Sequence, residues 1–224
     1  MSNKWITFDC FGTLVDWHTG FADILRPVAG DRTAELIRAY HEFEPLLEKE
    51  RPHRLYRDVL KEGVARAATK IGLPLSDAQK ESLPQRWGTQ PVFADVEPAL
   101  VELRAAGWKL AVMTNCDVDL FAQTQRGFRR PFDLVVTAEQ VKDYKPSPAH
   151  FRYFARVSEV EMGDWIHAAC SWYHDIAPAR ELGLRRIWVD RDQTGEDPAS
   201  ATLRIESAAE LPAAVERLGR SAVL

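Results

Sequence analysis

The chain has 224 residues, of which 46% are hydrophobic and 28% charged, and its formal net charge is -4. That composition is globular and leaves room for one α/β domain, or one carrying a smaller insertion. It offers no basic surface for a nucleic-acid backbone, no apolar run near the roughly 20 residues that cross a bilayer, and no secretory leader at Met1–Asp9. The three cysteines, Cys10, Cys116 and Cys170, are odd in number and lack metal-ligand spacing. Neither a disulfide framework nor a zinc knuckle is expected, and a cytoplasmic location follows.

The first apolar run, Trp5-Ile6-Thr7-Phe8, is short and β-prone and reads as a buried strand. It ends in Asp9-Cys10-Phe11-Gly12-Thr13-Leu14, with Gly12 at a tight turn. From about Thr19 to Trp87 the apolar spacing is helical, as in 34–40 and 60–68. Pro52, Pro74 and Pro84 divide this stretch into several helices. Beyond Phe93 strands and helices alternate. Strands are expected at 109–113, 134–136, 165–169, 186–189 and, weakly, 203–205. Helices are expected at 97–106, 117–126, 148–157, 176–182 and 208–218, with Gly107 and Gly183 closing two of them. Such alternation predicts right-handed crossovers and a parallel sheet covered on both faces. The expected organisation is an α/β core from 1–15 and 93–224, with a helical insertion at 16–92.

Ligands of such sheets bind beyond the carboxyl ends of the strands. Four groups fall there: Asp9 with Thr13, Thr114 with Asn115, Lys145, and Ser171 with Asp175. Singly, each has a plain structural explanation. Asp9 suits a turn, Thr114 or Asn115 a helix cap, Lys145 a solvated loop, and Asp175 a helix start. Jointly, they describe a carboxylate at a strand end with an ammonium near enough to hold it ionised, as a nucleophile requires. Thr114 and Asn115 precede a helix, where N–H groups favour an anion.

This order resembles the haloacid dehalogenase superfamily. Its first motif corresponds to Asp9-Cys10-Phe11-Gly12-Thr13-Leu14-Val15-Asp16, its second to Thr114-Asn115, and its third to Lys145 within Tyr144-Lys145-Pro146. The fourth region corresponds to Ala169-Cys170-Ser171-Trp172-Tyr173-His174-Asp175. The resemblance implies a Rossmann-like parallel core with a helical cap inserted after the first strand, and covalent catalysis by Asp9. Phosphatases of the superfamily carry a second Asp where this chain has Phe11, and a magnesium-binding Asp where it has Cys170. Both departures disfavour phosphate, whose dianion needs a hard-ligated cation and whose leaving alkoxide needs a proton.

A halide needs neither, and the pattern looks like the type II (L-2-haloacid) dehalogenase branch. That branch implies a small 2-substituted carboxylic acid as substrate, with no metal required. Asp9 is then the nucleophile and Lys145 its cation, while Asp175 with Ser171 or His174 orients water. Thr13, Thr114 and Asn115 bind the anion, Phe11 walls the halide side, and Arg38 reaches the carboxylate from the cap, with Arg51 a weaker candidate. Trp17 and His18 line the entrance. Cys170, Trp172 and Phe151 depart from the branch. The stretch Ser171–Asp175 resembles a subgroup, some members of which open other carbon–heteroatom bonds, including those of small-ring amino acids. Two alternatives stand beside this expectation. One is a magnesium-dependent phosphatase with Asp9 and Asp175 on the ion; the other is a scaffold that binds a small acid without turnover. A homodimer is compatible with either enzyme.

Overall fold

The computed structural model describes residues 3–193, 199 and 201–220. Strand β1 (Trp5–Phe8) is buried at every residue, as befits a strand covered on both faces. An insertion follows, built from α1 (Trp17–Ala29), α2 (Thr33–Glu48), α3 (Tyr56–Lys70) and the single turns α4 (Asp77–Lys80) and α5 (Ser82–Gln85). The alternating part then runs α6 (Val96–Ala105), β2 (Lys109–Thr114), α7 (Val118–Gln125), β3 (Leu134–Thr137), α8 (Ala138–Val141) and α9 (Ala149–Ser158). It continues through β4 (Trp165–Ala169), α10 (Ala177–Glu181), β5 (Arg185–Val189), β6 (Leu203–Ile205) and α11 (Leu211–Arg220).

The six strands form one parallel sheet in the order β3-β2-β1-β4-β5-β6. Phe8 lies opposite Val112 on one side and Ala168 on the other. The chain therefore leaves β1 at the middle of the sheet's carboxyl edge, with the ends of β2 and β4 beside it. The sheet's two faces feed separate cores. Ile6 and Phe8 join a large cluster that continues through Leu14 and Val15 to Phe21, Leu36, Val64 and Trp87 of the insertion. Trp5 faces the other way, with Met113, Val136, Phe151 and Phe154.

The insertion leaves and returns through one short antiparallel pairing. Val15 bridges Val92, the Asp16 N–H donates to the Pro91 carbonyl at 2.8 Å, and the Phe93 N–H donates to the Leu14 carbonyl at 3.0 Å. A second attachment comes from Asp117. By position it should cap its own helix, α7, but it makes no side-chain bond there. Its carboxylate instead accepts the backbone N–H groups of Tyr56 at 2.7 Å and Arg57 at 2.9 Å, capping α3 from across the molecule. The Val118 N–H thus left over donates to Glu139. Tyr144 Oη adds a 2.7 Å bond to the Arg54 carbonyl.

One local expectation is corrected. Pro84 sits inside α5, within its first turn, where its missing N–H would have had no helical partner. The expected helix at 176–182 is preceded by a π turn, Trp172–Ile176.

Replacing Asp117 with alanine leaves the first N–H groups of α3 and Arg57 Nε without their acceptor, while the guanidinium keeps Asp119. A loss of about 2 kcal/mol is expected, read as a lower urea midpoint with an unchanged m-value.

Candidate active site

The sheet's carboxyl edge brings three distant charged side chains to one point. Lys145 Nζ donates to Asp9 Oδ1 at 2.8 Å, to Asp175 Oδ1 at 2.8 Å and to the Met113 carbonyl at 3.0 Å. All three of its protons are committed, and the side chain is buried. Burial alone would strip the proton from Lys145, but the carboxylates of Asp175 and Asp9 outweigh it and hold the ammonium well above the usual lysine range. Burial likewise opposes ionisation of Asp175. Lys145 and His167 overcome it and hold that carboxyl well below the usual range.

Asp9 is delivered by a tight loop in which the Leu14 and Val15 N–H groups both donate to the Cys10 carbonyl. Thr13 Oγ1 donates to Asp9 Oδ2 at 2.8 Å and accepts the Cys170 N–H at 2.8 Å, tying the first loop to the end of β4. Gly12 has φ +90°, and a Cβ there would lie 2.7 Å from Cys170 Sγ. Both the backbone angle and the close approach require glycine.

Asp175 is carried inward by the wide π turn, whose opening is closed by bonds from the Asp175 and Ile176 N–H groups to the Ser171 carbonyl. Ser171 Oγ accepts the His174 N–H at 3.2 Å and lies 2.9 Å from His174 Nδ1. Burial lowers the pKa of His174, and its Nδ1 and the Ser171 hydroxyl share one hydrogen bond. His174 therefore bonds Ser171, and the histidine that holds Asp175 is His167 on β4. Trp165 Nε1 can only donate, and does so to Thr7 Oγ1 at 2.8 Å. The Thr7 proton then goes to His167 Nδ1 at 2.9 Å, leaving the Nε2 proton aimed at Asp175 Oδ1, 3.1 Å away. Asp175 Oδ2 accepts no hydrogen bond from the described residues.

Asp9, Lys145 and Asp175 lie at the floor of a cavity of about 540 Å³, whose far wall comes from the insertion. Phe11 lines it and meets Trp87 at 4.7 Å between ring centres. Trp17 and His18 also line it, His18 on the exposed side near Asp192. Ser171 and Trp172 contribute as well, and Trp172 rests on Trp188. Thr114 lines the cavity, but Asn115 spends both ends of its amide on the Lys145 backbone, accepting the N–H at 2.7 Å and donating to the carbonyl at 3.2 Å. It places the lysine.

Arg38 is corrected outright: it is exposed and does not line the cavity. Helix α2 buries Leu36, Ala39, Tyr40 and Leu47, and this stripe turns Arg38 to solvent. The α2 residues that reach the cavity are His41, Glu44, Pro45 and Glu48. Arg51 is exposed too, donating to the Glu48 and Glu50 carbonyls and to Asp143. Phe151 is buried beneath the site against His167, with ring centres 5.0 Å apart.

Residues 3–167 match the family model of haloacid dehalogenase-like hydrolases. The chain belongs to that family. Three relatives illustrate its range. Phosphoserine phosphatase of Thermus thermophilus is 33% identical over 118 residues, 51% of this chain and 47% of that protein, so the match spans about half its length. The (S)-2-haloacid dehalogenase of Pseudomonas sp. strain YL is 23% identical over 219 residues, 93% of this chain and 94% of that one. The crystal structure of L-2-haloacid dehalogenase from Xanthobacter autotrophicus with chloropropionic acid covalently bound superposes with a TM-score of 0.80. It shows 16% identity and covers 95% of this chain and 98% of its own.

Within this family fold the donor set decides which ions are welcome. Asp9, Asp175 and the Phe11 carbonyl are hard oxygens, but Cys170 stands among them. Its Sγ lies 3.9 Å from Asp9 Oδ2 and 3.8 Å from the Phe11 carbonyl, filling the space between two would-be ligands. Burial pushes its thiol pKa far up, so it stays protonated. A neutral thiol is a poor partner for magnesium, and the residues present do not fit that ion. No group of three or more His, Cys, Asp or Glu side chains suited to a metal occurs among the described residues.

The charge cluster has a defined pH signature. Asp175 titrates lower in the folded chain than in the unfolded one, so its contribution is complete above about pH 4 and is lost as pH falls below. Lys145 titrates higher when folded, so its contribution is complete below about pH 10.4 and is lost as pH rises beyond. Between these limits the wild type should show a plateau from this cluster. Lys145→Met leaves two buried carboxylates facing each other. It should cost about 3–5 kcal/mol at pH 7, and its urea stability should rise as pH is lowered from 7 to 5.

Proposed function

We propose that this protein is a metal-independent hydrolase that cleaves a carbon–halogen or similar carbon–heteroatom bond in a small 2-substituted carboxylic acid through an ester on Asp9. The observation that carries this reading is the pairing of Asp9 with the Lys145 ammonium, 2.8 Å away, at the floor of an aromatic-walled cavity. An Asp9 oxygen attacks the carbon bearing the leaving group, and that bond breaks with its electron pair on the leaving group. A halide departs without a proton, against the apolar wall of Phe11 and Trp87. Water then attacks the Asp9 carbonyl carbon, giving up a proton toward Asp175 Oδ2, which accepts no hydrogen bond from the described residues. Lys145 and the Thr13 hydroxyl face the oxygens on which negative charge gathers. As this intermediate collapses, the ester C–O bond breaks and the proton held at Asp175 passes to the departing alkoxide oxygen, which releases the hydroxy acid and restores both an ionised Asp175 and Asp9 with one oxygen from water.

The segment 16–92 acts in this reading as the cap, its hinge at the pairing of Val15 with Val92. Three free cysteines suit a reducing cytoplasm. No helix among the described residues is long and apolar enough to cross a membrane. The homodimer rests on the family resemblance alone. The magnesium-dependent phosphatase is the weaker reading: the half-length match to the Thermus thermophilus protein favours it, and the Cys170 thiol among the would-be ligands opposes it.

Chloride release from L-2-chloropropionate in excess chelator tests the first reading. Asp9→Asn should reduce it by at least about 10³-fold. After several turnovers in ¹⁸O water, the Asp9 peptide of the wild type should gain mass. Magnesium-stimulated phosphate release from p-nitrophenyl phosphate, with no chloride released, would establish the second reading instead.

A further inference from the structure

A line of polar side chains runs through the sheet to Asp175. Thr7 of β1 and His167 of β4 are register partners, and Trp165 lies two residues before His167 on the same face. All three are buried in strands that otherwise carry apolar side chains. The Phe151 ring packs against both His167, at 5.0 Å between ring centres, and Trp165, at 6.3 Å. A valine or leucine would fill such positions without the cost of burying a hydroxyl and an imidazole. The line is instead bonded from end to end. Trp165 Nε1 donates to Thr7 Oγ1, Thr7 Oγ1 meets His167 Nδ1, and His167 Nε2 ends the line on Asp175 Oδ1.

The direction of the last bond follows from its acceptor. Lys145 also donates to Asp175 Oδ1, and an ionised carboxylate only accepts. His167 Nε2 therefore carries a hydrogen whether the ring is neutral or charged. Oδ1 thus receives two donors, Lys145 at 2.8 Å and His167 at 3.1 Å, while Oδ2 receives none from the described residues. Rotation about the Cβ–Cγ bond exchanges the two oxygens of a carboxylate. With Lys145 alone either oxygen would serve as its acceptor, and the group would be free to turn. The second donor, reaching Oδ1 from within the sheet, removes that freedom and decides which oxygen is left over. Asp9 needs no such help. Lys145 takes one of its oxygens and Thr13 the other, whereas the bonds of His167 run to Thr7 and Asp175.

We propose that His167 is a positioning residue for the second half of the reaction: by holding Oδ1 it keeps Asp175 Oδ2 turned toward the attacking water. This deepens the reading given above and rests on it. During ester hydrolysis the water oxygen bonds the Asp9 carbonyl carbon, one water O–H bond breaks, and that proton goes to Oδ2. The same proton then passes to the departing alkoxide oxygen. Ester formation places no proton on Asp175, so His167 serves one half-reaction only. Thr7 and Trp165 serve it in turn by keeping the imidazole at one angle.

The test follows the two halves separately in the full-length protein with L-2-chloropropionate. His167→Asn puts its amide where Nδ1 lies and keeps the contact with Thr7. His167→Gln reaches the place of Nε2 and keeps a donor to Asp175. His167→Asn should hydrolyse the Asp9 ester at least about tenfold more slowly, as expected for a lost hydrogen bond to a charged group. The ester should then accumulate in acid-quenched samples, read by mass spectrometry as a heavier Asp9 peptide. Because chloride leaves in the first half, kcat should fall while kcat/KM stays within about threefold of wild type. His167→Gln should restore ester hydrolysis to within about threefold of wild type.

A histidine that only supports the fold would lower kcat/KM together with kcat and accumulate no ester, and that result in His167→Asn would overturn the proposal. So would a His167→Gln protein that hydrolyses the ester no faster than His167→Asn. If neither variant folds, NMR of the wild type with ¹⁵N-labelled histidine decides, the His167 ring being assigned by its contact with Phe151. A hydrogen on Nε2 is expected, and a bare Nε2 with the proton at Nδ1 alone would overturn the anchor. That spectrum needs no substrate. A wild type that forms no ester and releases no chloride would sink the dehalogenase reading, and with it the half-reaction given to His167, while the spectrum reports the anchor separately.

Discussion

A lysine ammonium shut away from water is the constraint that organises this molecule. Lys145 can remain charged only because Asp9, Asp175 and a backbone carbonyl take its three protons. Those acceptors come from the ends of β1 and β2 and from the turn after β4, so the lysine fixes the relative height of three strands. Each partner is held in turn. Asn115 grips the Lys145 backbone at both its N–H and its carbonyl, Thr13 links Asp9 to the end of β4, and His167 reaches Asp175 from within the sheet. The Asp9 carboxylate is thereby fixed before any ligand arrives, and a group held in that way needs no rearrangement to act.

The opposite wall obeys a different rule. It is aromatic and acidic: Trp17, Phe21, Tyr56 and Trp87 surround Glu44 and Glu48. Two tyrosines and a histidine donate to Glu44, so this acid organises its neighbours. The buried charge cluster sits on the sheet and the aromatic, acidic wall on the insertion, and the two meet across one cavity.

Much of this was legible in the sequence. The run Trp5–Phe8 was apolar but for Thr7 because both its faces are covered, the strand at 165–169 carried a similar signature, and the one at 203–205 a weaker one. Asp9, Lys145 and Asp175 were legible because a parallel sheet places loop residues at one edge whatever their distance in sequence. Side-chain partners were harder to read. His167 looked like an ordinary strand residue, because its partner Thr7 is set by strand register, which one sequence does not reveal. Arg38 was misplaced because its helix has several apolar residues, and tertiary packing chose which of them face inward. His41 and Glu44 carried a faint signal, a polar pair three residues apart beside the apolar stripe. Asp117 was legible as a helix start, and the wrong helix uses it.

That exchanged cap bears on the order in which the chain is assembled. The donors at Tyr56 and Arg57 precede their acceptor by 61 and 60 residues. During synthesis the third helix of the insertion leaves the ribosome with its first turn unfinished, and it stays so until β2 and the turn after it have emerged. The insertion therefore takes the cap of its third helix from the domain that contains it, and that helix is completed before the last four strands of the sheet have emerged.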